Sequence, residues 1–388
     1  MKVLYSAIDQ TVPAAHGGSV HVTAVAEGLA ALGHEIHVLA SPSDAAAFPS
    51  GSAVWWPVSP PLGERRLRLL RSPEVLRRAR ALRPDVIIER YYNFGGEGML
   101  AARRVGAVGV LEVNAPVVDY PGSAKQWIDR LLILQPLRRW RDWQCRVADL
   151  IVTPSTRMLP DHVPAARVLQ TEWGADTNRF HPAAAGWVPF SRTAGDIVVV
   201  FVGAFRPWHG AIHFVEAIRG LRARGRDDIK AVLIGEGPEL VRVQRAAEGV
   251  AGVTFTGALP HDKIPACLAA ADIGIAPFDV AAHPPLQSEF HWSPLKIFEY
   301  MASGLPVIAP RIERLAHIVR DGREGVLYDG AQPESLTAAI ERLANPALRA
   351  QLGPAARARA VEKYSWRSHC EALERAIRTA RDAHPDRH

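Results

Sequence analysis

Lys296 and Glu299 stand three residues apart in the run Ser293-Pro294-Leu295-Lys296-Ile297-Phe298-Glu299-Tyr300-Met301-Ala302-Ser303-Gly304. That spacing puts a cation and a carboxylate on one side of a helix. Ser293 suits the N-cap, Pro294 the first helical position and Gly304 the stop, so the run predicts a helix from Pro294 to Ser303 with Lys296 in its first turn. Unpaired N–H groups and the positive end of the dipole favour an anion there. A carboxylate one turn deeper suits the two hydroxyls of a ribose. The pair therefore fits a clamp for a nucleoside diphosphate, with a solvated Lys–Glu pair on an amphipathic helix as the competing reading. The apolar stretch Pro306 to Pro310 reads as a buried strand and places the helix start at the carboxyl edge of a sheet, which favours the clamp.

Other polar groups sit where strands should end. Gly17-Gly18 follows the first strand and opens a helix at Ser19, the setting of a backbone phosphate cradle, though any tight strand-to-helix turn selects glycine. Phe201-Val202-Gly203-Ala204-Phe205-Arg206-Pro207-Trp208-His209-Gly210 is a strand ending in a Gly-bounded loop. Gly235-Glu236-Gly237-Pro238 reads mainly as a structural turn. Glu89-Arg90 is a polar pair at a strand end, read as an ion pair. The chain has no Asp-x-Asp pair of the kind that holds a metal against a diphosphate, and neither a metal nor a cofactor is expected.

The elements that must position these groups alternate between short apolar runs and helical-period stretches from end to end, the pattern of α/β domains with parallel sheets covered on both faces. Strands are predicted at Lys2 to Ile8, Glu35 to Ala40, Asp85 to Glu89, Val108 to Val113 and Leu150 to Pro154. After a stretch of little periodicity the pattern restarts at Ile197 to Val202, Lys230 to Ile234, Val253 to Thr256, Ile273 to Pro277 and Val307 to Ala309. The expected division is an N-terminal Rossmann-like domain over 1–188, a second over 189–364, and a last helix over 365–388. Long helices are predicted at Pro346 to Lys363 and Trp366 to Ala383.

Length and composition bound the rest. The 388 residues suit two domains, and 48% hydrophobic with 22% charged residues describes a globular chain. Cys145, Cys267 and Cys370 are too far apart, and odd in number, for a disulfide framework or a zinc site. The net charge of +6 is nearly all arginine, which with abundant alanine reads as a coding bias, and no nucleic-acid partner is expected. Arg65, Arg66, Arg68, Arg71, Arg77, Arg78, Arg80 and Arg83 alternate with leucines, so segment 64–83 is either a basic surface for anionic lipid or a solvated helical face. Arg138-Arg139-Trp140-Arg141-Asp142-Trp143 has the same two readings. No apolar run approaches the roughly 20 residues needed to span a bilayer, and Met1 to Ile8 run straight into strand-like sequence. A cytoplasmic location is expected, with peripheral contact at the inner membrane face as its extension.

Taken together, the Ser-Pro-Leu-Lys-Ile-Phe-Glu-Tyr-Met-Ala run, the Gly203–Gly210 loop and the paired doubly wound pattern resemble the retaining, family 4 glycosyltransferases of the GT-B fold, in which two Rossmann-like domains face a central cleft. The resemblance covers nearly the whole chain and implies that the helix over 365–388 crosses back to the N-terminal domain. It implies that Glu299 grips the nucleotide ribose, and that Ser293, Pro294, Leu295, Lys296, Gly17, Gly18, Gly203, Arg206, Gly235 and Gly257 line the donor. The family's first signature Glu falls on His291, a departure that leaves His291 or Glu289, two residues off register, to orient the sugar. The family's Arg after the first loop glycine and Lys before the second are Ala204 and His209 here, and Arg206 is expected to supply the missing guanidinium. Arg206, Lys296, Glu299, His291 and Asn114 are thus the candidate catalytic residues, with His16, His21, Glu112, Asn114 and Glu289 as sugar or acceptor contacts. His16 and His21 as polar rim residues, and Asn114 as the cap of its loop, are the alternatives. Trp173-Gly174-Ala175-Asp176 resembles a structural turn of the family, capped by Asp176. Trp55, Trp56, Trp127, Trp140 and Trp143 are either acceptor-groove or core residues.

The implied activity is metal-independent transfer of a sugar from a nucleotide-diphosphate donor, a UDP-sugar ahead of a GDP-sugar, to a glycan, lipid-linked or small-molecule acceptor, with retention. A nucleotide-sugar epimerase or hydrolase of the same fold, or a non-catalytic nucleotide-sugar-binding protein, is the alternative that the altered positions keep open.

Overall fold

The computed structural model describes residues 1–14, 16–44, 46–118, 129, 135–283, 286 and 290–383. Two compact units account for them. The first comprises Met1–Trp173, His291–Ser293 and the chain from Trp366 onward; the second comprises Gly174–Phe290 and Pro294–Ser365. The division after Trp173 falls ahead of the expected 188, and the last helix belongs with the first unit.

The first unit is built on a seven-stranded, all-parallel sheet in the order β3-β2-β1-β4-β5-β6-β7. Its strands are β1 (Lys2–Val12), β2 (Glu35–Pro42), β3 (Val54–Pro57), β4 (Val86–Arg90), β5 (Val108–Glu112), β6 (Leu150–Thr153) and β7 (Val168–Gln170). The inner strands β1, β4 and β5 are almost continuously buried, as parallel strands covered on both faces must be. Helices α1 (Gly17–Ala31), α2 (Ser72–Leu82), α3 (Glu97–Val105) and α4 (Pro136–Val147) cover it.

The second unit repeats the plan with six parallel strands in the order β10-β9-β8-β11-β12-β13. These are β8 (Ile197–Val202), β9 (Ile229–Ile234), β10 (Val253–Gly257), β11 (Ile273–Ile275), β12 (Val307–Pro310) and β13 (Gly325–Tyr328). The helices are α5 (Ala211–Ala223), α6 (Leu240–Ala246), α7 (Ile264–Ala269), α8 (Leu295–Ala302), α9 (Glu313–Ile318), α10 (Pro333–Leu343) and α11 (Pro346–Lys363). One core of Val199, Phe201, Phe214, Ile218, Leu233, Ile275 and Ile340 fills the space between sheet and helices.

The long helices form where local chemistry demands them. Asn345 caps α11 by accepting the N–H groups of Ala347 (2.9 Å) and Leu348 (3.4 Å), with Pro346 at the first position. The last helix, α12 (Trp366–Asp382), buries Trp366, His369, Cys370, Leu373 and Ile377, a stripe at helical spacing, and packs on α1. None of the described helices is long and apolar enough to cross a membrane.

Segment 64–83 does not form a uniform basic face. It is a short 3₁₀ stretch, Arg65–Arg71, followed by α2, and Arg68 turns inward to full burial. The ladder of β1 with β2 is irregular between Ala7 and Thr11, and Asp9 in that break binds Nη1 of Arg68 at 2.5 Å. Glu97, at the start of α3, receives Nε and Nη2 of the same guanidinium and the Ser6 hydroxyl. Glu89 does not pair with Arg90. Its carboxylate accepts the N–H groups of Gly96 and Met99 at the α3 start and lies 3.6 Å from Arg68. Burial, with Glu97 nearby, raises the Glu89 carboxyl to about 8.

Replacing Arg68 by Met should therefore leave Asp9 and Glu97 buried without their counter-ion and cost about 3–5 kcal/mol. Urea unfolding at pH 7 measures the loss, and it should shrink as the pH falls and the carboxylates take up protons. A loss under about 1 kcal/mol would show that the network carries no net stability.

Candidate functional site

In the second unit Lys296, Phe201 and His209 converge on Gly203, immediately after β8. A Cβ built on Gly203 would lie 2.8 Å from Nζ of Lys296, 2.9 Å from the Phe201 ring and 3.0 Å from Nδ1 of His209. Only glycine leaves that space open. The Lys296 side chain runs from the first turn of α8, half-buried along its stem, to an ammonium that is shut off from water and has no hydrogen-bond partner among the described residues. Its Nζ stands 4.5 Å from the Phe201 ring centroid and 5.1 Å from that of Phe278, positions that favour a cation. Burial nevertheless dominates and brings its ordinary value of 10.5 down to about 7, against the opposing pull of Glu299. His209 is held neutral, well below the usual range, by burial and then by the charges of Lys296 and Arg206. Its Nδ1 also lacks a partner among the described residues. Arg206 is exposed, its guanidinium 5.9 Å from the Trp208 ring centroid. The Lys296 ammonium and Nδ1 of His209, both without partners among the described residues, together with the Arg206 guanidinium suit an anion with several oxygens.

Glu299, one turn beyond Lys296, accepts a hydrogen bond from Nε2 of His261 at 3.1 Å. The His261 ring lies 5.5 Å from that of Phe180. Sequence reasoning missed His261 because it sits in a loop after β10 with no spacing relation to Glu299. Gly235 (φ +130°) and Gly237 close β9 with backbone so near the Gly203–Ala204 carbonyls that a Cβ at Gly235 would fall 1.9 Å from the Gly203 oxygen. Their role as a turn is thus steric. Gly257 ends β10 with φ +70°. The helix opens one residue later than the sequence indicates. Pro294 is its N-cap residue, Leu295 its first, and no side chain caps it. Ser293 is engaged in the first unit instead, donating to Oε2 of Glu172 at 2.6 Å and accepting the Trp173 N–H at 3.1 Å. His291 is buried in that unit, its ring 5.6 Å from Trp292. Glu289 and Trp127 lie outside the described residues.

The first-unit candidates gather at the carboxyl ends of β1 and β5, but as an interior cluster. His21 is buried and is not a rim residue: its Nε2 lies 3.2 Å from both oxygens of Glu112, which also receives the Tyr5 hydroxyl. Burial raises the Glu112 carboxyl, but the His21 and Tyr5 hydrogen bonds and Arg90 overcome it and hold it near 2. Asn114 accepts the indole N–H of Trp173 at 3.0 Å, and Trp173 stacks 4.4 Å from His21. On α12, His369 bonds the Glu172 carbonyl through Nδ1 at 2.8 Å. His16 caps α1, its Nδ1 accepting the Ser19 N–H at 3.2 Å. Beside it, a Cβ on Gly18 would meet the Gln10 side chain at 2.1 Å. Asp176 caps its turn through the N–H groups of Asn178 and Arg179. Trp140 donates to the Gly95 carbonyl at 2.8 Å and stacks on Trp143, so both are packing residues. A cavity of about 600 Å³ between α5, α10 and the ends of β12 and β13 contains none of the sequence-predicted site residues.

Comparison with known proteins adds an independent line. A family model described as Glycosyltransferase Family 4 matches residues 15–167, and one described as Glycosyl transferases group 1 matches residues 196–345. The chain is 30% identical over 319 residues to a GDP-mannose-dependent alpha-mannosyltransferase of Mycobacterium tuberculosis, covering 81% of this chain and 76% of that protein. It is 31% identical over 227 residues to a GDP-mannose-dependent alpha-(1-6)-phosphatidylinositol monomannoside mannosyltransferase of Mycolicibacterium smegmatis, covering 57% of this chain and 58% of that protein. Among solved structures, sucrose-phosphate synthase from Thermosynechococcus elongatus superposes with a TM-score of 0.72 at 19% identity over 98% of this chain and 99% of that one, a likeness of GT-B fold.

The buried ammonium makes a prediction that needs no substrate. The folded value of Lys296 lies below its unfolded value, so between about pH 7 and 10.5 the unfolded chain holds the extra proton. Stability must therefore rise with pH through that window, and the cost of burying the charge is present in full below about pH 7. Lys296→Met should be more stable than the wild type at pH 6, with the difference shrinking toward pH 10. Melting temperatures of the two proteins across that range check the sign.

Proposed function

Because the chain belongs to the family 4 glycosyltransferases, we propose that it transfers a hexose from a nucleoside-diphosphate sugar to an acceptor hydroxyl, with retention at the anomeric carbon. The observation that carries this reading is the Lys296 ammonium, buried at Gly203 with no acceptor among the described residues. A diphosphate supplies the oxygens it lacks. In the proposed reaction Lys296 and Arg206 neutralise the charge that develops on the diphosphate as the glycosidic bond breaks. Glu299, already oriented by His261, takes the ribose hydroxyls. Retention without a positioned carboxylate nucleophile corresponds to attack from the leaving-group face, the departing phosphate accepting the proton of the acceptor hydroxyl. The protein's contribution is then placement and charge neutralisation, and no side chain is required as general base.

A GDP-sugar is now the first donor to test, ahead of the UDP-sugar expected from sequence, because curated relatives at about 30% identity are GDP-mannose-dependent by name. A lipid-linked acceptor is supported by the name of one of those relatives and by a feature of segment 64–83. Leu62 and Leu70 are 93% and 65% exposed, beside the exposed Arg65 and Arg66. Paired leucines and arginines at a surface turn suit an anionic bilayer.

Calorimetric titration with GDP, UDP, ADP and dTDP tests the clamp. One diphosphate should bind in the micromolar range, and Glu299→Ala should weaken it by about tenfold to a hundredfold, the worth of one or two charge-assisted hydrogen bonds. Failure of the folded protein to bind any of the four would remove the transferase reading. Donor consumption that proceeds equally well with no acceptor would mark a hydrolase.

Co-sedimentation with vesicles tests the lipid contact separately. Binding is expected to vesicles containing anionic lipid, to fall with salt, and to drop several-fold in the Leu62→Ser, Leu70→Ser double variant. Equal binding of both proteins would exclude this surface.

A further inference from the structure

Val202, the last residue of β8, stands directly before Gly203, and its N–H has an unusual partner. The ladder between β8 and β11 stops at Val200 and Gly274, so this N–H lies past the last backbone pair on that side. It donates instead to the hydroxyl of Tyr300, at 2.7 Å. Tyr300 reaches it from α8, wholly buried, across β11 at Gly274. A Cβ on Gly274 would fall 2.5 Å from Cγ of the ring, so the crossing needs a residue without a side chain. Tyr300 and Lys296 are four residues apart on α8 and lie on one face. Along that face the Tyr300 hydroxyl binds the backbone of Val202, and the Lys296 ammonium reaches the space above the next residue, Gly203.

We propose that Tyr300 is the positioning residue of the diphosphate clamp: its hydroxyl fixes α8 to the end of β8, and so sets where the Lys296 ammonium stands over Gly203. This rests on the donor reading above for the identity of the ligand, but not for the placement itself. The alternative is that Tyr300 is only a core residue. The two differ in what its hydroxyl controls. A core role predicts a loss of stability when the hydroxyl is removed, because the Val202 N–H is left unsatisfied, and nothing else. A positioning role predicts in addition that Lys296 changes its surroundings. The charged and titratable groups that face Nζ among the described residues are Glu299 on the same helix and His209 on the loop after β8, and Arg206 of that loop acts on His209. Phe201 and Phe278 form the apolar walls.

Two readouts separate the roles in Tyr300→Phe, which keeps the ring and the packing. The chain has six lysines, so the Lys296 side chain can be followed by ¹³Cε shifts in lysine-labelled protein. Its titration midpoint should move up by about one pH unit or more as water reaches a displaced ammonium. In calorimetry the variant should bind GDP, or whichever diphosphate the wild type prefers, about tenfold more weakly. The same substitution made in Lys296→Met should cost no further affinity, because the group it positions is gone. Gly274→Ala, which pushes the ring aside, should reproduce both effects. An unchanged Lys296 midpoint in Tyr300→Phe, or a tenfold loss that persists in Lys296→Met, would overturn the proposal. If the wild type binds no diphosphate, the transferase reading falls while the titration of Lys296 still decides whether Tyr300 positions it.

Discussion

A lysine ammonium held out of water with no acceptor among the described residues is an expensive thing to build, and much of the second unit's architecture near the β8 end follows from keeping it there. Gly203 contributes by having no side chain. Phe201 and Phe278 present ring faces that tolerate a cation but cannot hydrogen-bond it. Tyr300, through the Val202 N–H, stops α8 from sliding to give the ammonium water. A protein selected only for stability would replace this lysine with an apolar residue of similar size. The diphosphate proposed above would balance that cost.

The first unit handles buried charge in the opposite way. Arg68 is surrounded by Asp9, Glu97 and Glu89, and the last of these is further satisfied by two backbone N–H groups. Glu112 is closed off by Tyr5 and His21. Glu89 and Glu112 lie at strand ends, where polar residues invite a functional reading, yet their own oxygens are bonded within the fold. Asp9, Glu97 and Glu89 hold Arg68 within the fold, whereas beside Glu112 Nδ1 of His21, Nδ2 of Asn114 and Nε2 of His369 have no hydrogen-bond partner among the described residues. Two polar clusters of similar composition thus have different chemical capacity, and the difference lies in which atoms are already bonded.

That distinction explains what could be read from the sequence. The inner strands β1, β4, β5, β8 and β9 were legible because continuous apolar runs are buried on both sides, and α11 because Asn345 and Pro346 mark its start. The edge strands β3 and β7 were missed: Val54-Trp55-Trp56-Pro57 ends in a proline and Val168–Gln170 has three residues, too short for any period to show. The strand β13, Gly325–Tyr328, was passed over for the same shortness. Lys296 and Glu299 were legible from helical spacing. Ser293 was misassigned as a cap because its residue type suits one, while its hydroxyl is bonded to Glu172, 121 positions away. Arg68 could not be told from its arginine neighbours, since the bulge that brings Asp9 to it leaves no local signature. Tyr300 looked like one more apolar position on a helix face.

The departures from the family loop become coherent once Lys296 is seen to be buried. A lysine at 209 would bring a second ammonium beside one that already has no hydrogen-bond partner among the described residues, and each would depress the other. The imidazole of His209 avoids this by remaining neutral in that setting, and it still offers a nitrogen toward the space over Gly203. Moving the guanidinium from position 204 to Arg206 places that charge in the open, where Arg206 lies exposed against Trp208 and solvent screens it. The loop thus carries less fixed charge than the family pattern would give it. On the proposed reading, a diphosphate would complete the charge, partly by drawing a proton onto Lys296 from solvent and partly by bringing Arg206 to itself. The proposed donor affinity is for that reason tied to proton uptake, and it should weaken above about pH 7, where the uptake costs most.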